Sequence, residues 1–316
     1  MTQLTLPLTA STTNRCDGAA AARPLGVRCR HYRIGPVPVS IHSDVPGAID
    51  AYHALYRAYE VAASFPESLR IEVAVKRSHR SGRRYYHIRG GDEEEFIVRS
   101  RDRILPHVEA VINLLIARYL PDYLQIHASA VCRDGAAVVF PGKPGAGKTT
   151  LAAALLARGW SYCTDEFALI EPRTRLLFPY PKALSIKEGS LAILAAMGVP
   201  IDEQRTYARD KKGSIRCLDP LSVRPDAVAG ECPVRMVVFP EYAPGGIPTV
   251  EPIPRAKAAF EMTRCCFNFL KFRARAVELL ANVVRQAQCY RMRTGDLARS
   301  CELVETLFLE TQRGKA

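Results

Sequence analysis

Gly142-Lys-Pro-Gly-Ala-Gly-Lys-Thr-Thr150 follows the apolar run Ala136-Ala-Val-Val-Phe140, and the reading of this stretch decides the fold. It is a complete G-x-x-x-x-G-K-T phosphate loop. The run before it predicts a short buried strand, and Leu151 to Arg158 after it predicts a helix closed by Gly159 as C-cap. Gly142, Gly145 and Gly147 free the backbone to bring its N–H groups close to phosphate oxygens. A helix starting near Lys148 adds the positive end of its dipole. Lys148 is placed to reach the β- and γ-phosphates, and the Thr149 hydroxyl to ligate magnesium. The expected ligands are ATP and Mg2+, held by Gly142, Gly145, Ala146, Gly147, Lys148, Thr149 and Thr150. Lys143 is expected to face solvent.

Outward from the loop the chain divides. Residues 1–30 are rich in Thr, Ala and Ser without a sustained period and are expected to be flexible. Residues 31–120 read as a small α+β module. Its elements are a strand at Val37 to Ile41, a helix from Gly47 to Ala62, strands at Arg70 to Val75, Arg84 to Ile88 and Glu95 to Val98, and a helix from Ile104 to Tyr119. Residues 121–316 form the loop-bearing α/β part. Leu124 to Cys132 reads as a strand, as does Trp160 to Thr164, with Asp165-Glu166 at its end. Phe167 to Ile170 and Leu176 to Phe178 read as a strand pair, and Val199 to Pro220 is polar without a clear period. Val234 to Phe239 reads as a buried strand. Two helices close the chain, Arg255 to about Cys289 with a break near Phe267, and Asp296 to Leu309.

Composition narrows the class. The chain has 316 residues, 48% of them hydrophobic, enough for one large core or two modest ones. It has no apolar run of membrane-spanning length and no signal-like start, so a cytoplasmic protein without membrane attachment is expected. The ten cysteines include no C-x-x-C pair and are expected to be reduced thiols, with Cys265-Cys266 on a helix. All seven histidines lie at or before His127, which excludes a His-type zinc site in the second half. The net charge of +12 favours an acidic ligand or partner. No nucleic-acid motif accompanies it. The basic stretch from Lys76 to Tyr86 is centred on Ser81-Gly82 and reads as a hairpin tip rather than an RNA patch.

Asp165 follows Lys148 by only 17 residues, on the next predicted strand. That spacing brings both acids beside the γ-phosphate. One carboxylate can take a proton from an incoming hydroxyl while the other holds magnesium. The candidate catalytic residues are Asp165, Glu166 and His127, and the candidate metal ligands are Thr149, Glu166 and Asp165. His127 reads either as a hydrogen-bond partner that tunes a carboxylate or as a satisfied core histidine. The basic segment from Arg205 to Arg216 reads either as a cover over phosphate or an acidic peptide, or as a solvated loop. Lys187 is a weaker candidate for the same task.

His127-Ala-Ser-Ala-Val131, the loop, Leu156-Ala-Arg-Gly159-Trp160 and Cys163-Thr-Asp165-Glu166 together resemble the HPr kinase/phosphorylase family, which is itself similar to phosphoenolpyruvate carboxykinase around the loop. The family's counterparts are a Val-His-Gly segment, a Gly-x-x-Gly-x-Gly-Lys-Ser loop, an Arg-Gly-His turn and an Asp-Asp pair. This chain departs from them at Thr149, Trp160 and Glu166. Val237-Val-Phe-Pro240-Glu-Tyr242, Asn268-Phe269 and Cys289 to Asp296 resemble the HPr-kinase-related proteins associated with peptide-modification gene clusters. The resemblance implies a kinase that phosphorylates a serine or threonine of a peptide or small protein, with a small peptide-chaperone protein as a further expected partner. It also implies homo-oligomer formation as in HPr kinases. The second HPr kinase signature is missing, so the HPr substrate itself is not implied. Two alternatives stay open, a small-molecule kinase of the shikimate or adenylate kinase kind and a nucleotide-gated regulatory protein without transfer activity.

Overall fold

The computed structural model describes residues 27–91, 94–120, 122–209 and 213–313. The segment expected to be flexible lies outside the described residues up to position 26, as do Asp210 to Lys212 of the basic segment.

The first part comprises β1 (Arg28–Ile34), β2 (Val37–Ser43), α1 (Ala48–Tyr56), β3 (Glu60–Val61), β4 (Leu69–Arg77), β5 (Arg84–Gly90), β6 (Glu94–Val98) and α2 (Ile104–Tyr119). Its strands form one sheet in the order β3-β1-β2-β4-β5-β6. β2 and β4 run parallel and the other neighbours antiparallel. The basic stretch is the tip of the β4–β5 hairpin, closed by Gly82 N–H on the Ser78 carbonyl at 2.8 Å. α1 buries Ile49, Tyr52, Leu55 and Tyr56 on one face, as their spacing requires. It is shorter than expected because Glu60 and Val61 leave it to pair with Tyr32 and His31 of β1.

The second part begins with β7 (Leu124–Arg133), β8 (Ala136–Pro141), α3 (Lys148–Ala157), β9 (Ser161–Ile170), β10 (Leu177–Phe178), β11 (Leu184–Lys187) and α4 (Leu191–Ala196). It continues with β12 (Thr206–Arg209), β13 (Gly213–Leu218), α5 (Pro220–Val223), β14 (Val234–Tyr242), β15 (Thr249–Pro252), α6 (Arg255–Thr263), α7 (Phe269–Phe272), α8 (Ala274–Arg285), β16 (Gln288–Thr294) and α9 (Leu297–Arg313). The main sheet has the order β10-β9-β7-β8-β14-β16-β15. β8, β14 and β16 run parallel, and the remaining pairs are antiparallel. β11, β13 and β12 form a separate antiparallel sheet. Among the described residues the molecule is thus a mixed α/β protein with three sheets.

Three expectations are corrected. Asp165 and Glu166 do not end a strand. They lie in the middle of β9, which stays paired with β7 from Ser161 to Ile170 because β7 is equally long. The helical stretch expected from Arg255 to Cys289 breaks near Phe267 as expected, but it forms three helices and ends in a strand. Cys265 and Phe267 abandon helical pairing to bond the backbone of β7 at His127 and Gln125, so Cys265-Cys266 lie in a turn, and Cys289 lies in β16 beside β14. Finally, the polar stretch after Val199 contains β12 and β13, whose Tyr207, Ile215 and Cys217 are buried against the first part.

The main sheet is covered on both faces. Leu151, Leu155 and Leu156 of α3 and Val304 and Phe308 of α9 pack with Val131, Val138 and Tyr162 on one face. Met262 of α6 and Leu280 and Val283 of α8 pack with Ala130, Val139 and Cys163 on the other. Each buried Leu or Val contributes about 1.5–3 kcal/mol. The core under the first sheet runs on into Phe167, Leu169 and Tyr180 of the second part, so the two parts share apolar packing.

Candidate active site

The loop stands between β8 and α3, where the expected strand and helix meet. Gly145 and Gly147 take φ values of 88° and 93°, the left-handed region that glycine enters without strain. Gly147 precedes the first turn of α3, and its carbonyl accepts the Leu151 N–H at 2.9 Å. Lys148 is buried and folded over the loop, its Nζ donating to the Gly142 and Lys143 carbonyls at 2.8 and 3.1 Å. Thr150 shares a 2.8 Å hydrogen bond with Ser190. Lys143 is exposed, as expected of that position.

A register shift aims the acid at the loop. Ala130 lies opposite Thr164, but Val131 lies opposite Tyr162, so β9 carries one extra residue, Cys163. Such a bulge reverses the alternation of side chains beyond it. Asp165, opposite Ser129, therefore shares a sheet face with Tyr162 and Val131, the face that α3 covers. Without the shift, the Val131–Tyr162 register would set Thr164 opposite Ser129 and Glu166 opposite His127 on that face.

Around Asp165 the structure brings together the residues expected there. The Ser129 hydroxyl donates to Asp165 Oδ1. Burial raises the Asp165 pKa and neighbouring Glu166 adds to it, against the Ser129 bond, the charge of Lys182 and the nearby Thr149 hydroxyl. Glu166 is half-buried, with Oε1 3.6 Å from His127 Nε2. Burial lowers the His127 pKa, reinforced by Lys148 and opposed by Glu166, so the imidazole is neutral near pH 7. Burial also lowers the pKa of Lys148, while Asp165 and Glu166 pull it back up.

Ser129, Lys182 and Phe267 were not singled out from sequence. Ser129 lay inside the quoted strand, and its position opposite Asp165 is a matter of register. Lys182 is 3% exposed and sits in an apolar stretch without any motif. Its Nζ is 3.4 Å from Glu109 Oε2 on α2, and Glu109 also accepts the Tyr56 hydroxyl of α1 at 2.7 Å. Burial works against the Lys182 charge, but Glu109, Glu166 and Asp165 outweigh it and raise its pKa. Phe267 stacks against His127, with ring centroids 5.4 Å apart. Of the basic segment, Arg216 is engaged elsewhere, bonded to Asp202 Oδ1 at 2.7 Å, and Lys187 is exposed at the end of β11.

The site thus offers a glycine loop with a buried lysine at a helix start. Beside it are a buried carboxylate held by the Ser129 hydroxyl, a second and more exposed carboxylate, and a neutral imidazole. No protein-family model matches the chain, and no curated protein sequence matches it. Solved structures do match, among them the HPr(Ser) kinase/phosphatase from Coxiella burnetii, at 14% identity over 60% of this chain and 97% of that one, with a TM-score of 0.28. A TM-score at this level does not establish a common fold. No helix among the described residues is long and apolar enough to cross a membrane.

Proposed function

We propose that the protein is an ATP-dependent kinase that transfers the γ-phosphoryl group to a Ser or Thr hydroxyl of a peptide or small protein. The observation that carries this reading is a complete phosphate loop with Lys148 buried at the start of α3, the helix that covers the sheet face on which Asp165 lies. In this reading residues 121–316 bind the nucleotide and residues 31–120 support them.

The chemistry follows from the groups present. Loop N–H groups and Lys148 hold the phosphates, and the helix dipole of α3 adds to their attraction. The acceptor oxygen attacks the γ-phosphorus, its proton passes to Asp165, and the bond to the β–γ bridging oxygen breaks to release ADP. A buried carboxylate with a raised pKa is a better base than an exposed one. Neutral His127 orients Glu166. Thr149, Asp165 and Glu166 form a set of hard oxygen donors that fits magnesium, which when bound would neutralise charge on the phosphates. Little covalent work is asked of the protein, so catalysis rests on positioning and electrostatics.

Calorimetry of ATP binding, paired with a turnover assay, tests this division of labour. Asp165→Asn is expected to retain ATP affinity within a few-fold and to lose about 10²–10⁴ in transfer rate. Equal transfer rates in wild type and Asp165→Asn would sink the proposal.

A further inference from the structure

The segment joining α6 to α8 is pinned to the main sheet where it is most apolar. The Cys265 carbonyl accepts the His127 N–H at 2.7 Å, and the Phe267 N–H donates to the Gln125 carbonyl at 2.9 Å. Buried Asn268 accepts the Gln125 N–H at 3.0 Å and donates to the Tyr123 carbonyl at 2.8 Å. These four bonds fix a rigid ledge along the start of β7.

The ledge nevertheless holds apolar side chains out in water. Phe267 is 43% exposed and Leu270 78%, and Phe260 of the preceding helix is 66% exposed. The inner face of Phe267 rests on His127 and on Phe167, with ring centroids 5.4 and 4.6 Å away. Arg273, at the junction of α7 and α8, takes a φ of 50°, a strained value for a residue other than glycine. A neighbouring exposed apolar cluster on a strained, over-determined loop marks an interaction site better than scattered surface leucines do. The charge is one-sided as well. No acidic residue lies between Glu261 and Glu278, while Arg264, Lys271, Arg273 and Arg275 are all exposed cations.

We propose that this ledge docks the acceptor peptide, a chain with an apolar side chain and acidic side chains flanking its Ser or Thr. The proposal rests on the kinase reading. The reacting hydroxyl has to come within hydrogen-bond reach of Asp165, so the chain on either side of it crosses the surface next to the catalytic residues. The ledge is that surface on the His127 side, since Phe267 touches His127 and His127 touches Glu166. Its apolar residues supply anchors, and its cations select acidic neighbours.

The test uses the full chain and two labelled Ser-containing peptide pools, one flanked by Leu or Phe with Glu or Asp, the other with Lys or Arg in place of the acids. Binding is read by fluorescence anisotropy and phosphopeptide by mass spectrometry after ATP and magnesium are added. Wild type is expected to prefer the acidic pool by about tenfold or more. Leu270→Glu is expected to lose about tenfold in that affinity, and Lys271→Glu with Arg273→Glu to erase the preference, each with ATP affinity within about twofold of wild type. An absence of preference in wild type, or variants that bind the pool and are phosphorylated as wild type is, overturns the ledge. Ledge-dependent binding without any phosphopeptide supports the ledge as a peptide surface and overturns the kinase reading.

Discussion

Lys182→Met tests how the first part of the chain is tied to the part that carries Asp165. Lys182 and Glu109 are 3% and 8% exposed, and their 3.4 Å ion pair crosses from the second part to α2 of the first. Removing the lysine leaves Glu109 charged and buried with only the Tyr56 hydroxyl at 2.7 Å to compensate it. Breaking one side of a buried pair costs about 3–5 kcal/mol. The Tyr56 bond persists, so the lower end, about 3 kcal/mol, is expected. Glu109→Gln keeps an acceptor for Tyr56 but leaves the Lys182 ammonium only the charges of Glu166 and Asp165, and should cost somewhat less. The double variant removes both charges and should lie within about 1–2 kcal/mol of wild type, since neutral replacement of a buried pair is often tolerated. The two singles and the double form a thermodynamic cycle with a coupling of about 3 kcal/mol or more. Urea unfolding of the nucleotide-free protein measures it, with the single tryptophan, Trp160, fully buried and serving as the fluorescence probe. Single variants that each cost less than about 1 kcal/mol, or whose effects simply add, would refute the reasoning.

Three further outcomes are expected. Asp165→Asn should stabilise the metal-free protein at neutral pH. A raised native pKa means that the folded state binds more protons than the unfolded one above the ordinary aspartate value of 3.8. The ionised carboxylate therefore costs stability that sets in as pH rises from that value through the native pKa, and thermal melts should show the variant's advantage vanish near pH 4 and below. Lys148→Ala should weaken ATP binding about ten- to a hundredfold by calorimetry, through loss of charge-assisted bonds to phosphate, with the fold intact by circular dichroism. Gly295→Ala should destabilise by about 1–3 kcal/mol in chemical denaturation, because a Cβ there would sit 1.9 Å from the Gly246 carbonyl oxygen and push away the turn behind the loop.

Local signals carried far in this chain. The strand, loop and helix around Gly142 to Thr150 have the form that the spacing required, and α2 occupies the residues its apolar period marked. Nearest-neighbour patterns failed where a distant strand decided the outcome. Residues 265 to 268 lie inside the stretch expected to be helical, at its expected break, and are claimed by the free backbone groups of β7. Gln288 and Cys289, the start of β16, fall inside the stretch expected to be helical because their partner strand, β14, lies far earlier in the sequence. The bulge at Cys163 has no signature in the local sequence pattern either, yet it sets Asp165 rather than Thr164 opposite Ser129. Lys182 escaped for a related reason, since its partner Glu109 lies in another part of the chain and is brought to it only by packing.

The central claim is phosphoryl transfer to a hydroxyl, and formation of the phosphoester is its most direct measure. Wild-type protein, magnesium and γ-labelled ATP are incubated with a Ser-containing peptide pool, and label is followed into peptide and into free phosphate. The account predicts label on peptide serine, abolished by Asp165→Asn and by Lys148→Ala. Label that appears only as free phosphate, at a rate indifferent to Asp165, would contradict it.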